Sequence, residues 1–435
     1  MSIQNFPAAL QPIIQQGFLD REFQDGLRAK LGFRAIADRE PFANAVGETI
    51  TKTRRGLKAA ANTPLNPANN TNLDNGLSAS GWTVEQYQLA INMYGDSIDL
   101  NMVTSRVGIA SQFLQNAKVN GEQAMRTLDV LARDALYNQY LGGNTRVRVT
   151  LGAPAATVSV DDIRGFQTVF VNGQLVPVSG ANTLTVTVGA DVYTLIGAAA
   201  DGSNVSTAPN GISGVLTFSA NVLVADGTAG NAVQASIAPL VIRPNARATT
   251  AAITTGDTLK MLDILSGVAQ LRDNAVPDIG GAYNYYADNT QIHGLFSDTS
   301  FQTLYRGAYG SAEYRDGQVF ELLGARFVPT NLAPQQTLAG FKIRRGILCG
   351  QGALVEGDFE STGYSDVGDG DSLKSMVDDV CMVTREPLDR LGQIIAQSWY
   401  WIGGYAVPTD LTANPNVIPT ASNSYFKRGV VFESL

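Results

Sequence analysis

The sequence is short of the residues on which most enzyme chemistry turns. It holds one histidine, His293, and two cysteines, Cys349 and Cys381, in 435 residues. A Ser-His-Asp relay or a histidine-based metal site would have to pass through His293, which sits among apolar neighbours in NTQIHGLF and reads as structural. No GxGxxG follows a strand pattern, and GxxxxGK[ST], HExxH and GxSxG are missing. The cysteines lie 32 positions apart without CxxC spacing, which argues against a disulfide framework and for a reducing compartment. Charge is scarce too: 16% of residues are charged, against about 25% in ordinary soluble domains. That scarcity suggests a surface that meets protein more than water. The net charge of −8 excludes the basic excess of a dedicated nucleic-acid binder. Two local basic clusters, Arg54-Arg55 with Lys58 and Lys342 with Arg344-Arg345, read as solvated or ion-paired. No run of about 18 apolar residues is found, and MSIQNFPAALQPIIQQ lacks a basic start followed by an apolar stretch. A soluble cytoplasmic chain is expected, with no membrane contact, and the Asn69 and Asn204 sequons read as chance matches.

What is present is organised by period. Residues 7–38 read as helix, with Leu19, Phe23, Leu27 and Leu31 spaced by four. In GETITKTRR, Thr49, Thr51 and Thr53 alternate with Ile50, Lys52 and Arg54. In WTVEQYQLAINMY, Tyr87, Leu89, Ile91 and Met93 form one row of a second strand. Between the two lies a loop from Gly56 to Gly81 that contains NTPLNPANNTNLDNG, with six asparagines and two prolines in fifteen residues. Loops longer than about 12–15 residues are usually functional or disordered, and a two-stranded hairpin is marginal alone. A hairpin lying across another protein surface satisfies both facts, and another copy of the same chain is the natural partner. Its contact residues are then Lys52, Arg54, Arg55, Lys58, Asn69, Asn72, Tyr87, Leu89, Ile91 and Met93. The alternation slips after Gly95, which predicts a bulge or bend there.

Residues 117–141 read as a long helix with Ala124, Leu128, Leu131, Ala135 and Leu136 on one side, stopped by Gly142-Gly143-Asn144. From 145 to 248 there is no Lys, Glu, His, Cys, Met or Trp, and short Val/Thr/Leu runs alternate with turn residues such as Asn172-Gly173. This stretch is expected to be an inserted all-β module, a small sandwich. Beyond it, Asp257 is expected to cap a helix bearing Leu259, Leu262, Leu265, Val268 and Leu271. A further helix is expected near 299–306, short strands in FELLGARFVP and GFKIRRGILCG, and a long buried strand in IIAQSWYWIGGYAVP. The best metal candidate is DVGDGDS, with Asp366, Asp369 and Asp371. It misses the EF-hand pattern, because counting from Asp369 puts Leu373, Lys374 and Val380 where an acid, a glycine and a glutamate belong. The loop reads as a solvated turn, and no cofactor or catalytic residue is expected.

The order of these elements, with the phrases FRAIADREPF, GETITKTRRGL and TREPLDRLGQIIAQSW, resembles the major capsid proteins of tailed bacteriophages, whose shell fold encapsulins share. The resemblance covers most of the chain outside 145–248. It implies an α+β fold with an N-terminal arm (1–46), an extended hairpin loop (47–102), a peripheral domain with a long spine helix (103–144), an axial domain (249–380) and a return to the peripheral domain (381–435), interrupted by the insertion at 145–248. It further implies a non-enzymatic subunit, assembled in the host cytoplasm, whose pentamers and hexamers close an icosahedral virion shell around double-stranded DNA held without sequence preference. A separate scaffolding protein, a portal and a cement or decoration protein are the partners it implies. The scaffolding protein is expected to be separate because the loop begins by residue 47. Lys52 and Lys58 occupy the loop in which some relatives crosslink, without a motif that marks either as reactive. An encapsulin-like compartment is the alternative, and a secreted β-rich adhesin or hydrolase is a weaker one.

Overall fold

The computed structural model describes residues 32–42, 49–55, 64, 84–101, 112–171, 174–306, 321–359, 372–377, 379–385, 393–408 and 427–435. The chain is α+β, mostly strands with a few helices, and divides into two units. The first takes residues 1–50, 88–133 and 354–406; the second takes 51–87, 134–353 and 407–435.

The first unit is built around the expected buried strand, Ile394–Ala406, in which Gln397, Trp399, Trp401 and Gly403 are buried at period two. Asn92–Asn101 pairs with it antiparallel from Ile394 to Gly403, and Val380–Arg385 pairs with it from Ala396 to Tyr400. Leu354–Phe359 takes the end from Gly403 to Ala406, and Ala37–Phe42 adds parallel to Leu354–Phe359. The long helix, Gln112–Tyr140, lays Ala117, Ala124 and Leu128 on this sheet against Val380, Met382, Trp399 and Trp401. Two alanines let the helix approach closely, and the two indoles fill the space between the layers. Asn120 Nδ2 donates to the Gln397 carbonyl at 3.1 Å and fixes the axial position of the helix.

Two sequence expectations change here. Of the stretch 7–38, the described residues Phe33–Ile36 form a single 3₁₀ turn and Ala37 already enters a strand; the rest lies outside the described residues. Asn92–Asn101 runs through Gly95 with no shift of register, so Gly95 is no bulge. A Cβ at this position would fall 2.5 Å from the Trp399 carbonyl oxygen, and the glycine serves that close approach. The interruption falls at Ile91, between Val84–Ala90 and Asn92–Asn101. Among the described residues Thr49–Arg55 pairs with Val84–Ala90 as a two-stranded sheet.

In the second unit six strands follow the order Asn144–Arg146, Ala232–Ala235, Leu184–Val188, Asp191–Ala200, Gly214–Val222, Ala155–Val160. The last returns to the first: Val147 bridges Val160, Arg148 N–H donates to the Ser159 carbonyl at 2.8 Å and Asp161 N–H to that of Arg146 at 3.2 Å. The expected sandwich is therefore a closed barrel. Register shifts at Leu195/Gly197 and Thr217/Val222 supply the bends that closure requires. Its interior is filled by residues such as Val158, Val186, Leu216 and Phe218. Thr168–Val171 and Gln174–Pro177 form a short hairpin whose last pair is Val171 and Gln174, and the expected turn residues Asn172 and Gly173 lie outside the described residues.

The second sheet of this unit has Phe341–Cys349 at its centre, flanked by Gly429–Ser434 and Tyr283–Ala287. Tyr285 packs edge-on against Phe327 and Phe432, at 5.3 and 5.2 Å between ring centres. The helix Met261–Asp273 covers this core through Ile264, Val268 and Leu271, and Thr299–Arg306 forms the expected second helix. Asp257 caps neither. It accepts hydrogen bonds from Asn245, Arg247 and Thr254, and Lys260 precedes the helix instead.

A Cβ on Gly404 would lie 1.9 Å from the Ala90 carbonyl oxygen, so backbone must move to admit it. Gly404→Ala will destabilise the chain by about 1–3 kcal/mol. Gly152→Ala, where a Cβ meets nothing within 4 Å, will stay within about 0.5 kcal/mol of the parent. Urea denaturation of both variants checks the pair.

Candidate interaction surface

The hairpin presents two faces. Thr49, Thr51 and Thr53 are exposed, while Ile50, Lys52 and Arg54 are half-buried, as strand alternation requires. Arg54 Nη1 donates to the Gly352 carbonyl at 2.9 Å. The side chain of Arg55, and Lys58, Asn69 and Asn72 entire, lie outside the described residues, as do Asp366, Asp369 and Asp371.

The apolar row of the second strand divides along its length. Tyr87 and Ile91 are half-buried. Leu89 is fully buried in its own chain, and a Cβ on Gly357 would fall 2.7 Å from it. Met93 is 71% exposed and pairs across the sheet with Ile402. Leu89 therefore has no side-chain surface to offer a neighbour, and Met93 is the most open residue of the row. A second exposed apolar patch escapes the sequence reading. On the Met261–Asp273 helix, Leu262 and Leu265 are 68% and 42% exposed, and Ile264, Val268 and Leu271 make the buried face instead. Helical spacing puts Leu262, Leu265 and Ala269 on one outer stripe. The available signal was an apolar count too large for one face of a helix.

Ionic chemistry is concentrated inside the second unit. Glu433 is fully buried and accepts from Arg345 Nε at 2.8 Å, Arg243 Nε at 2.6 Å and Thr250 Oγ1 at 2.8 Å. Burial by itself raises its pKa, but the two guanidinium groups outweigh this and bring it down to about 2. Arg345 also donates to Gln336, Gln336 Nε2 donates to Thr207 Oγ1 at 2.6 Å, and Thr207 Oγ1 donates to Asp161 at 2.7 Å. This chain of bonds joins the barrel to the second sheet. His293 is exposed on the short helix Asn289–Leu295. Both cysteines are buried, and burial pushes the Cys349 thiol well above its ordinary value, away from the nucleophilic form. Among the described residues no three His, Cys, Asp or Glu side chains are grouped to hold a metal ion, and no helix is long and apolar enough to cross a membrane.

No protein-family model and no curated protein matches the chain. Solved structures do. The chain is similar to the capsid of Ralstonia phage GP4, at 11% identity and a TM-score of 0.46, over 93% of this chain and 88% of that one. It is similar to the capsid structure of cyanophage P-SCSP1u at 12% identity and a TM-score of 0.48, with the same two coverages. The capsid asymmetric unit of cyanophage Pam1 is similar at 10% identity and a TM-score of 0.45, over 94% of this chain and 93% of that one.

The buried carboxylate yields two expectations. Glu433→Gln leaves two buried guanidinium groups without their counter-charge and will cost about 3–5 kcal/mol. Because the folded pKa lies below the ordinary 4.5, the stability contributed by Glu433 is complete above about 4.5 and is lost as pH falls toward 2. Denaturation curves across that window should therefore fall more steeply for the parent chain than for Glu433→Gln.

Proposed function

We propose that the chain is the major capsid subunit of a tailed bacteriophage, and that many copies form an icosahedral shell. The carrying observation is the hairpin. Among the described residues its two strands pair with each other alone, and in sequence they flank the asparagine-rich segment 62–76, a composition suited to turns and to uncharged hydrogen bonds with a neighbour. The order of elements supports the same reading: hairpin, long helix packed on a sheet, inserted β-module, a second α+β unit, then a return to the first sheet. On this reading the hairpin reaches a neighbouring subunit through Lys52, Arg54, Tyr87, Ile91 and Met93 together with Arg55, Lys58, Asn69 and Asn72. The outer stripe of Leu262 and Leu265 is a second contact between copies. Pentamers and hexamers close the shell around double-stranded DNA, with a scaffolding protein and a portal as partners, and a decoration protein on the outside. The role is structural, and no side chain is assigned to catalysis. The barrel, an addition to the minimal shell fold, favours a virion over a cargo compartment.

Negative-stain micrographs of the purified protein should show closed particles, and a monomeric elution profile under all assembly conditions would overturn the reading. Met93→Asp, at an open position, should leave folding stability within about 0.5 kcal/mol of the parent and shift the protein from particles to free subunits or malformed shells. Deletion of 62–76 should do the same. Normal shells from both variants would remove the hairpin from the assembly contact.

A further inference from the structure

The second unit contains a partly open cavity of about 40 Å³ where the barrel meets the second sheet. This exceeds the roughly 10–15 Å³ that one water molecule needs. Four arginines line it, Arg146 and Arg164 from the barrel and Arg243 and Arg345 from the other side, against three carboxylates, Asp161, Asp162 and Glu433. The lining therefore carries one surplus positive charge.

Each of the three carboxylates is engaged by donors of its own chain. Asp162 accepts from Arg164 Nε at 2.8 Å and Nη2 at 2.6 Å, and from Ile212 N–H at 3.3 Å. Asp161 accepts from Thr207 N–H and Oγ1 at 3.1 and 2.7 Å, and Glu433 holds Arg243, Arg345 and Thr250. Two of the four guanidinium groups, those of Arg146 and Arg345, keep unpartnered donors. Arg345 is 3% exposed, yet its Nη1 has no hydrogen-bond partner. Arg146 approaches Asp161 only to 3.7 Å, touches Thr207 Oγ1 at 3.3 Å, and its Nε has no partner. Guanidinium offers donors only, and buried charged donors left unpaired are costly. What the cavity lacks is a compact set of negatively charged acceptors.

We propose that this cavity binds a small oxyanion, held between Arg146 on the barrel and Arg345 on the second sheet. A tetrahedral oxyanion presents several acceptors at once, the geometry that planar guanidinium forks match. It also cancels the surplus charge. Occupancy fastens the barrel to the sheet at the seam that the Gln336–Thr207–Asp161 bonds already cross.

The test uses the full chain and inorganic phosphate. Equilibrium dialysis of labelled phosphate should show one saturable site per chain, and Arg146→Gln should weaken it by about tenfold or more. Phosphate also stabilises proteins by general exclusion from their surface, so thermal shifts are compared between the two proteins at matched ionic strength in chloride. The parent should gain several degrees more than Arg146→Gln. Absence of saturable binding to the parent chain at millimolar phosphate overturns the proposal, whatever the variant does. Equal binding and equal thermal shifts in the two proteins overturn it as well.

Discussion

A carboxylate one residue from the chain's last pair governs the second unit. Glu433 lies on Gly429–Ser434, the strand that pairs with the central Phe341–Cys349 strand, and its charge is removed from water. An isolated buried carboxylate would neutralise itself by taking a proton. Two arginines prevent that, and they come from distant parts of the sequence: Arg345 from the neighbouring strand and Arg243 from the segment that leaves the barrel. Neither arginine can move far without stranding the other charge. The consequence spreads outward, because Arg345 also holds Gln336, which holds Thr207 in the barrel loop. The final strand, the exit from the barrel and the barrel loop are thus fixed by one constraint, that no member of the cluster be left unpaired.

The first unit uses the same device at a different place. Arg34 reaches Glu356 through Nη2 at 2.6 Å and Nε at 3.0 Å, with both residues buried. Asp129, on the long helix, accepts from the backbone N–H groups of Gly32 and Arg34 at 3.2 and 3.0 Å. Desolvation raises the Asp129 pKa despite those bonds, so this group resists ionisation where Glu433 favours it. The contrast has a physical origin. Glu433 faces two full positive charges in direct contact, whereas Asp129 is satisfied mostly by backbone dipoles. Together these contacts hold Gly32–Ile36 to the helix and to the sheet, so the chain enters the parallel Ala37–Phe42 pairing in one register.

Period two and helical spacing carried much of the architecture into the sequence. The long strand at Ile394–Ala406, the Gln112–Tyr140 helix with its glycine stop, and the Val171–Gln174 hairpin were all legible there, because each is a local pattern. The closing of the barrel was not. A sandwich and a barrel share the same alternation, and only one long-range bridge, Val147 to Val160, separates them. Asp257 misled for a related reason: an aspartate before a helical run is a capping signal, but here Asn245 and Arg247 claim it first. Leu262 and Leu265 look like core positions by spacing, and nothing local says which of two apolar faces a helix will turn outward. The arginine-lined cavity was invisible for the strongest reason, since Arg146 and Glu433 come together only when the unit closes.

The sparse charge noted in the sequence gains meaning from where the charges sit. Arg34, Glu356, Asp129, Asp257, Arg345 and Glu433 are all buried and bound internally. These ionic groups fix the interior rather than solvate the exterior, so a composition already low in charge leaves still less for the surface. Met93, Leu262, Val192 and Val119 meanwhile stand more than half exposed. Scattered apolar residues on a surface are ordinary. Met93 differs because it follows directly from a hairpin strand on which Tyr87 and Ile91 are half-buried by their own chain. On the proposed capsid reading such a surface meets neighbours of the same kind, for which few charges and repeated apolar contacts are the favourable terms.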